Sequence, residues 1–212
     1  MNTKINNRNL SLHCRKLASK DTSLAFIFNN YGAPPLWARQ TGFATLIHII
    51  LEQQVSLASA RAAFDKLQEK VGTITPESVL VLSDEEMKAA YFSRQKMNYA
   101  RNLANSVLEK SLDLKNLENL PDEVVREELT KIKGIGRWTS DIYLLMAMLR
   151  ADIMPKGDLA LHVAWQKLKN LEKRPGSDEF IEIAEQWKPF RSVAARLLWH
   201  FYLNLKSEKV KK

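Results

Sequence analysis

Apolar residues recur along this 212-residue chain with the 3.6-residue period of an α-helix, while strand-like alternation is nearly absent. Three stripes carry the period, over 43–51, 138–149 and 193–205. Glycine and proline, seven of each, interrupt few segments. The pattern predicts an all-α protein of about nine or ten helices. A chain of this length can arrange them as one domain or as two helical lobes with a cleft between them.

Helix-start signals support this prediction. Ser83 followed by Glu86 forms a capping box, in which each residue bonds the backbone of the other. Pro76, Pro121 and Pro189 are predicted at first helical positions, where the missing N–H costs nothing. Further helices are expected over 57–71 and from residue 137 to about residue 150.

The charge balance favours a polyanionic partner. Lysine and arginine number 32 against 24 acidic residues, which gives a formal net charge of +8. Such an excess points to nucleic acid first and to an acidic membrane second. The longest apolar runs are far too short to span a bilayer, and the opening residues, MNTKINNRN, lack the apolar region of a signal peptide.

Cysteine and histidine usage excludes several classes of site. The single cysteine, Cys14, excludes an internal disulfide, a cysteine-based zinc site and a four-cysteine iron–sulfur cluster. A reducing compartment is therefore expected. The four histidines are scattered without ligand spacing, so each is expected to be a surface residue or a hydrogen-bonded core residue: His13, His48, His162 and His200.

The segment Leu129–Thr139 is the sharpest local feature. A helix ends there in a turn containing Gly134 and Gly136, and a new helix follows at once. Glycines permit positive φ and close backbone approach, and a helix N-terminus attracts anions, so the turn suits a DNA phosphate. The flanking cations are Lys131, Lys133 and Arg137. The same short pattern also fits a plain interhelical turn.

Asp158 follows a Pro155–Gly157 loop and precedes a helical stretch, so we expect it at a helix N-cap. A carboxylate there is stabilised in its ionised form. It can act as a fixed negative charge or as a general base. It can also be a cap and nothing more.

Three further features leave two interpretations each. Gln53 and Gln54 lie at a junction between helices. They can bond base edges or fill the gap left by an extruded base, or they can form an ordinary solvated helix corner. Trp199 suits a helical core or a pocket wall. Trp138, two residues past Gly136, suits packing or stacking on a nucleobase.

Four segments, in their order along the chain, resemble the helix-hairpin-helix superfamily of DNA glycosylases, and within it the 3-methyladenine DNA glycosylase II branch: 53–56, 129–139, 155–159 and 191–199. The resemblance runs from Phe43 to Tyr202, roughly three-quarters of the chain. It implies a two-lobed helical glycosylase domain over 38–206 with an interlobe cleft, an N-terminal extension over 1–37 packing against that body, and a basic tail over 207–212.

The resemblance also implies an activity. The enzyme would flip alkylated purines of the 3-methyladenine and 7-methylguanine class out of duplex DNA and hydrolyse the N-glycosidic bond, leaving an abasic site. Bifunctional relatives carry a lysine after the hairpin Gly-x-Gly-Arg, where this chain has Trp138, so no lyase activity is expected. The family carries an aromatic residue one turn after Trp138, and this chain departs from that pattern with Ile142 and Tyr143 there.

Residue roles follow from the same resemblance. Asp158 matches the catalytic aspartate, Trp138 and Trp199 match walls of the base pocket, and Gln54 falls where the family inserts a wedge into the duplex. The implied DNA contacts are Gln53, Gln54, Gly134, Gly136, Arg137 and Thr139. Backbone carbonyls of Thr130, Ile132 and Ile135 match a site for a monovalent cation, Na⁺ or K⁺, and no other cofactor is expected.

Two other functions stay open at this point. One is a non-catalytic helix-hairpin-helix DNA-binding module, and the other is a glycosylase for uracil or for a deaminated or oxidised purine. The expected partner is double-stranded DNA containing alkylated bases, without a membrane, and the expected state is a monomer. The expected location is the bacterial nucleoid or the eukaryotic nucleus.

Overall fold

The computed structural model describes residues 3–210, with side chains up to residue 205. This part of the chain contains twelve α-helices and no β-strand, which confirms the all-α prediction, whereas the predicted number of nine or ten helices is too low. Along it, every helix is too short or too polar to cross a bilayer. The helices are α1 (Leu10–Ala18), α2 (Thr22–Tyr31), α3 (Phe43–Glu52), α4 (Leu57–Val71), α5 (Pro76–Leu80), α6 (Asp84–Ala89), α7 (Arg94–Leu108), α8 (Asp122–Thr130), α9 (Arg137–Ile142), α10 (Leu159–Leu168), α11 (Ser177–Ala184) and α12 (Arg191–Val210).

The chain divides into two compact units. The terminal unit consists of the chain up to Ala38 together with the chain from Leu149 onward, and the middle unit is Arg39–Met148. In the terminal unit, α12 packs against α1, α2 and α10. In the middle unit, α3 packs against α4, α7 and α9.

Each unit has its own apolar core. In the middle unit the buried face of α3 consists of residues such as Leu46, Ile47 and Ile50, all fully buried. In the terminal unit, the fully buried Ala194 and Ala195 give α12 a narrow face. Burial of such faces is the main stabilising contribution for helices of this length.

The predicted domain boundaries remain a prediction. The structure groups residues 3–38 with the C-terminal part of the chain rather than setting them apart. The predicted basic tail over 207–212 lies largely outside the described residues. Only the backbone of 207–210 is described there, as the end of α12.

Locally encoded helix ends agree with the predictions. The 57–71 helix is found over the predicted range as α4. Ser83 Oγ accepts from the N–H of Glu86 at 3.1 Å, and the Ser83 N–H donates to the Glu86 carboxylate at 2.9 Å, so the capping box is confirmed. Pro76 is the first residue of α5, behind the N-cap Thr75.

Three predicted helix boundaries are wrong. Pro121 is the N-cap of α8 and not its first residue. Pro189 lies outside α12, which begins at Arg191, where the backbone N–H and the guanidinium both bond the Asp152 carboxylate. The helix expected from 137 to about 150 is α9 followed by a π-helical turn over Tyr143–Ala147, and it ends before Leu149, whose φ is +56°.

Candidate functional site

Asp158 is the N-cap of α10, and its carboxylate is held by two donors. Oδ1 accepts from the backbone N–H of Leu161 at 3.0 Å and from the indole Nε1–H of Trp199 at 3.2 Å. The residue is 8% exposed. Two hydrogen bonds to one buried oxygen stabilise negative charge on it. The N-cap prediction is confirmed, and the indole bond gives this carboxylate a fixed orientation that a simple cap does not need.

Trp199 is itself braced from the N-terminal segment. Its ring meets the ring of Trp37 edge-on, with centroids 6.4 Å apart. Trp37 has a φ of +49°, a backbone conformation that side chains of this size rarely adopt. One turn before Trp199, the fully buried Arg196 donates from Nε to the Leu36 carbonyl at 2.9 Å. Burial lowers the pKa of Arg196 to about 10.

No sequence signal singled out Trp37 or Arg196. A left-handed backbone cannot be read from a tryptophan, and the Leu36 carbonyl lies 160 residues before its donor. Such contacts become visible only when the fold brings distant segments together. Trp37 and Arg196 therefore support the Trp199–Asp158 pair, and neither was predicted from the sequence.

The start of α12 fixes the loop that leads to Asp158. Ser192, fully buried, donates to the Arg150 carbonyl at 2.6 Å and accepts from the Ile153 N–H at 3.0 Å. Arg191 binds both carboxylate oxygens of Asp152, at 2.9 and 3.0 Å. These contacts restrain the loop before it reaches the N-cap.

His162 lies one turn after Asp158 on α10 and is 5% exposed. Its Nε2 has no hydrogen-bond partner within the described residues, while a ring N–H bonds the Pro175 backbone. Burial is the main cause that lowers the pKa of His162, and Asp158 opposes this shift. The histidine expected to be on the surface or fully hydrogen-bonded in a core is instead buried with one nitrogen unsatisfied. His13 is buried with an unsatisfied Nδ1 as well.

In the middle unit, the turn between α8 and α9 forms the predicted hairpin. Gly134 has a φ of +110°, and a Cβ there would overlap the side chain of Tyr99. Gly136, with a φ of −95°, is not left-handed, and a Cβ there would meet nothing within 4 Å among the described atoms. Of the two glycines, only Gly134 has the expected positive φ. Gly136 instead provides the expected space for close approach to the backbone.

Two amide side chains hold the hairpin turn. Asn102 of α7 donates to the Lys133 carbonyl at 3.1 Å. Gln53 donates from Nε2 to the Gly134 carbonyl and to the Thr139 hydroxyl, each at 2.9 Å. The structure therefore brings together three of the predicted DNA-contacting residues, Gln53, Gly134 and Thr139. Thr139 is 2% exposed.

Gln54 follows directly and is exposed, with a φ of +58°. The two residues before Gln53 are fixed. The Lys96 ammonium donates to the Leu51 carbonyl at 2.7 Å, and Arg39 holds both carboxylate oxygens of Glu52 at 3.0 and 2.7 Å. Burial lowers the pKa of Lys96. Gln54 is thus presented to solvent from a restrained turn.

Acidic neighbours offset part of the positive charge around the hairpin. Arg137, half exposed, lies 3.3 Å from the carboxylate of Asp141. Asp141 is fully buried and bonds the Nε of Arg126 at 2.6 Å. Lys131 pairs with Glu128 at 2.6 Å. Trp138, the second residue of α9, is partly exposed.

The donor set of the predicted cation site consists of neutral oxygens. The Ile132 carbonyl accepts from the N–H of Ile135 at 3.0 Å, which leaves its second lone pair for another partner. Neutral carbonyl oxygens fit Na⁺ or K⁺, whereas softer metals prefer nitrogen and sulfur ligands. No cluster of three or more histidine, cysteine or acidic residues suited to a metal occurs in the described part of the chain.

Comparison with known proteins gives concordant matches. Residues 47–190 match the model of the HhH-GPD superfamily of base excision DNA repair proteins. DNA-3-methyladenine glycosylase 1 of Schizosaccharomyces pombe is 29% identical over 192 residues, which cover 89% of this chain and 84% of that protein. The protein YfjP of Bacillus subtilis is 27% identical over 186 residues, which cover 84% of this chain and 65% of YfjP, less than two thirds of its length.

A solved structure shares the fold. The 3-methyladenine DNA glycosylase Mag1 of Schizosaccharomyces pombe, in complex with abasic DNA, superposes with a TM-score of 0.82 at 29% identity. The match covers 90% of this chain and 95% of that one.

Proposed function

The chain belongs to the HhH-GPD superfamily of base excision DNA repair proteins, and on that basis we propose that it is a monofunctional DNA glycosylase acting on alkylated purines. Relatives named DNA-3-methyladenine glycosylase support the choice of lesion. The observation that carries the proposal is the buried Asp158 carboxylate, oriented by the indole of Trp199. A module that only binds DNA has no use for such a group.

Binding begins at the phosphate backbone. The hairpin offers the N-terminus of α9 and, at Gly136, a backbone that a phosphate can approach closely. Arg137 adds a partly exposed guanidinium. These contacts position the duplex without reading its sequence. The excess of basic residues adds long-range attraction.

Gln54 is the proposed wedge. Extrusion of a nucleotide costs a few kcal/mol, less where damage has weakened pairing, and a side chain that fills the gap lowers this cost. Gln54 is exposed and follows a restrained helix end, which suits that role. Its amide can also form hydrogen bonds with the base left without its partner.

Bond cleavage then depends on charge. Alkylation at N3 or N7 makes a purine cationic, which weakens its N-glycosidic bond and attracts it to aromatic faces by about 1–2 kcal/mol. Trp199, whose indole bonds Asp158, would supply one such aromatic face. As the bond breaks, positive charge develops on the sugar, and the ionised Asp158 stabilises it and orients the attacking water. The products are a free base and an abasic site.

Trp138 stands where the resemblance places the lysine of bifunctional relatives, so we expect no attack by an amine at C1′ from this position. A monovalent cation held by the carbonyls of Thr130, Ile132 and Ile135 would supply additional positive charge for a phosphate. The proposed state is a monomer.

Asp158→Asn tests the catalytic assignment. We expect release of 3-methyladenine from methylated DNA to fall by about 100-fold or more, because the substitution removes the negative charge that stabilises the transition state. Binding to DNA should stay within about threefold, because the phosphate contacts are unchanged. Released bases are measured by chromatography and binding by fluorescence anisotropy.

Asp178→Asn is the matched control, since it removes the same charge from an exposed side chain of the same unit. Equal base release by Asp158→Asn and the native chain would refute the assignment. A native chain that binds DNA but releases no base would support the binding module instead. Release of uracil or an oxidised purine in place of alkylated bases would overturn the proposed lesion.

A further inference from the structure

Gln53 joins two parts of the middle unit that have separate roles in the proposed reaction. We infer that it is a positioning residue that couples the hairpin to the wedge turn, defined as residues 53–56. Seating of a phosphate on the hairpin and insertion of Gln54 then occur as one event. This inference rests on the proposed function. It gives Gln53 a positioning role in place of the direct DNA contact that the resemblance implies.

The geometry commits the Gln53 amide to the protein. Its two donated bonds, each 2.9 Å, end on the Gly134 carbonyl in the turn and on the Thr139 hydroxyl in α9. The side chain therefore holds both halves of the hairpin at once. The acceptors lie 81 and 86 residues further along the chain.

An amide is well suited to this link. It supplies two donors for two acceptors and carries no charge of its own. A glutamate here would place a negative charge against the Gly134 carbonyl and beside the proposed phosphate site. To reach a base edge with its amide N–H groups, Gln53 would have to break both bonds and leave the buried Thr139 hydroxyl without this partner.

The wedge turn has little freedom to move without the hairpin. Lys96 and Arg39 fix the two residues before Gln53, and Gln54 follows it in a left-handed conformation. Such a conformation persists where the surroundings enforce it. One peptide bond separates the anchored Gln53 from the exposed Gln54. The position of the Gln54 side chain therefore depends on the position of the hairpin.

The test uses a duplex that contains a stable abasic-site analogue beside 2-aminopurine, whose fluorescence rises when the bases unstack. Gln53→Met keeps the length of the side chain and removes both donors. Asn102→Ala is the matched control, because it removes an amide-to-carbonyl bond to the same hairpin without touching the wedge turn. Affinity for undamaged duplex and thermal unfolding are measured for each variant.

We expect Gln53→Met to lower the ratio of unstacked to stacked 2-aminopurine in the bound duplex about tenfold, as the loss of two hydrogen bonds predicts. Its affinity for undamaged duplex should change less than about threefold, since the phosphate contacts remain. Asn102→Ala should retain unstacking. Thr139→Val should give a partial loss, and Gln53→Met with Thr139→Val should be no worse than Gln53→Met alone.

Parallel losses in Gln53→Met and Asn102→Ala would reduce Gln53 to a structural brace and overturn the inference. Additive effects of Gln53→Met and Thr139→Val would indicate a direct DNA contact and overturn it as well. Should Gln53→Met not fold, Thr139→Val against Asn102→Ala gives the same comparison. A native chain that releases no base but unstacks this duplex leaves the coupling standing and removes the proposed function.

Discussion

At the scale of single residues, the indole of Trp199 has a role that stacking on a base does not describe. Its Nε1–H is donated to Asp158, and the residue is 8% exposed. The ring is therefore placed to orient the carboxylate, with Trp37 packed edge-on against it. A residue predicted as a pocket wall is also a hydrogen-bond donor to the predicted catalytic group.

Trp199→Phe separates these two roles, because phenylalanine keeps an aromatic face and has no N–H. We expect base release to fall about tenfold, in line with a lost hydrogen bond to a charged group. DNA affinity should be unchanged. Single-turnover release measures the effect, and thermal unfolding controls for a packing defect. A native rate in a folded variant would show that Asp158 does not need this donor.

Residue-level prediction succeeds where the signal is local. Asp158 at an N-cap is recognisable from its neighbours, because the cap bonds a backbone group three residues away. The partners of Gln53 lie 81 and 86 residues away, so its bonds to the hairpin have no local sequence signal, and its direct contact with DNA stays a prediction. The left-handed backbone of Trp37 has no sequence signal at all.

At the scale of elements, the α8–α9 hairpin needs a glycine at position 134 for its shape, whereas Gly136 has open space beside its backbone. Gly134→Ala meets a positive φ and the side chain of Tyr99 together. We expect a loss of about 2–5 kcal/mol in the free energy of unfolding, from backbone strain and overpacking. Urea denaturation measures it.

Gly136→Ala is the control for this prediction, since its φ is ordinary and the space beside it is open. Its stability should change by about 1 kcal/mol or less. DNA affinity should nevertheless fall, because the added methyl group occupies the place proposed for a phosphate. Equal destabilisation by the two substitutions would contradict the distinction between the two glycines.

Element boundaries follow the same division between local and tertiary signals. The range of α4 and the start of α6 follow from capping and periodicity in the local sequence. The start of α12 does not, because contacts of Arg191 and Ser192 with residues 150–153 decide it. The π-helical turn after α9 includes Tyr143, whose hydroxyl accepts from the Gly42 N–H across 101 residues.

At the scale of the whole molecule, three histidines make stability depend on pH. Burial lowers the pKa of His13, His48 and His162 in the folded state. Unfolded histidines titrate near pH 6.5, so unfolding takes up protons below that value. The stabilisation is therefore complete above about pH 6.5 and is lost as the pH falls below it.

We accordingly expect the Tm to fall between pH 7.5 and pH 5.5, as measured by calorimetry. His162→Gln should flatten part of this slope, because glutamine does not titrate. A Tm that stays level over this range in the native chain would contradict the lowered pKa of these histidines.

The order of the two units along the sequence affects how the chain folds during its synthesis. The terminal unit draws on both ends of the described chain, and α12 packs against α1 and α2. During translation, α1 and α2 leave the ribosome before the middle unit, whereas their packing partner α12 is synthesised after it. The middle unit is continuous in sequence and can fold while synthesis proceeds. The Trp199–Asp158 pair forms only after α12 has emerged, so a nascent chain can complete its hairpin before the Asp158 carboxylate gains its indole donor.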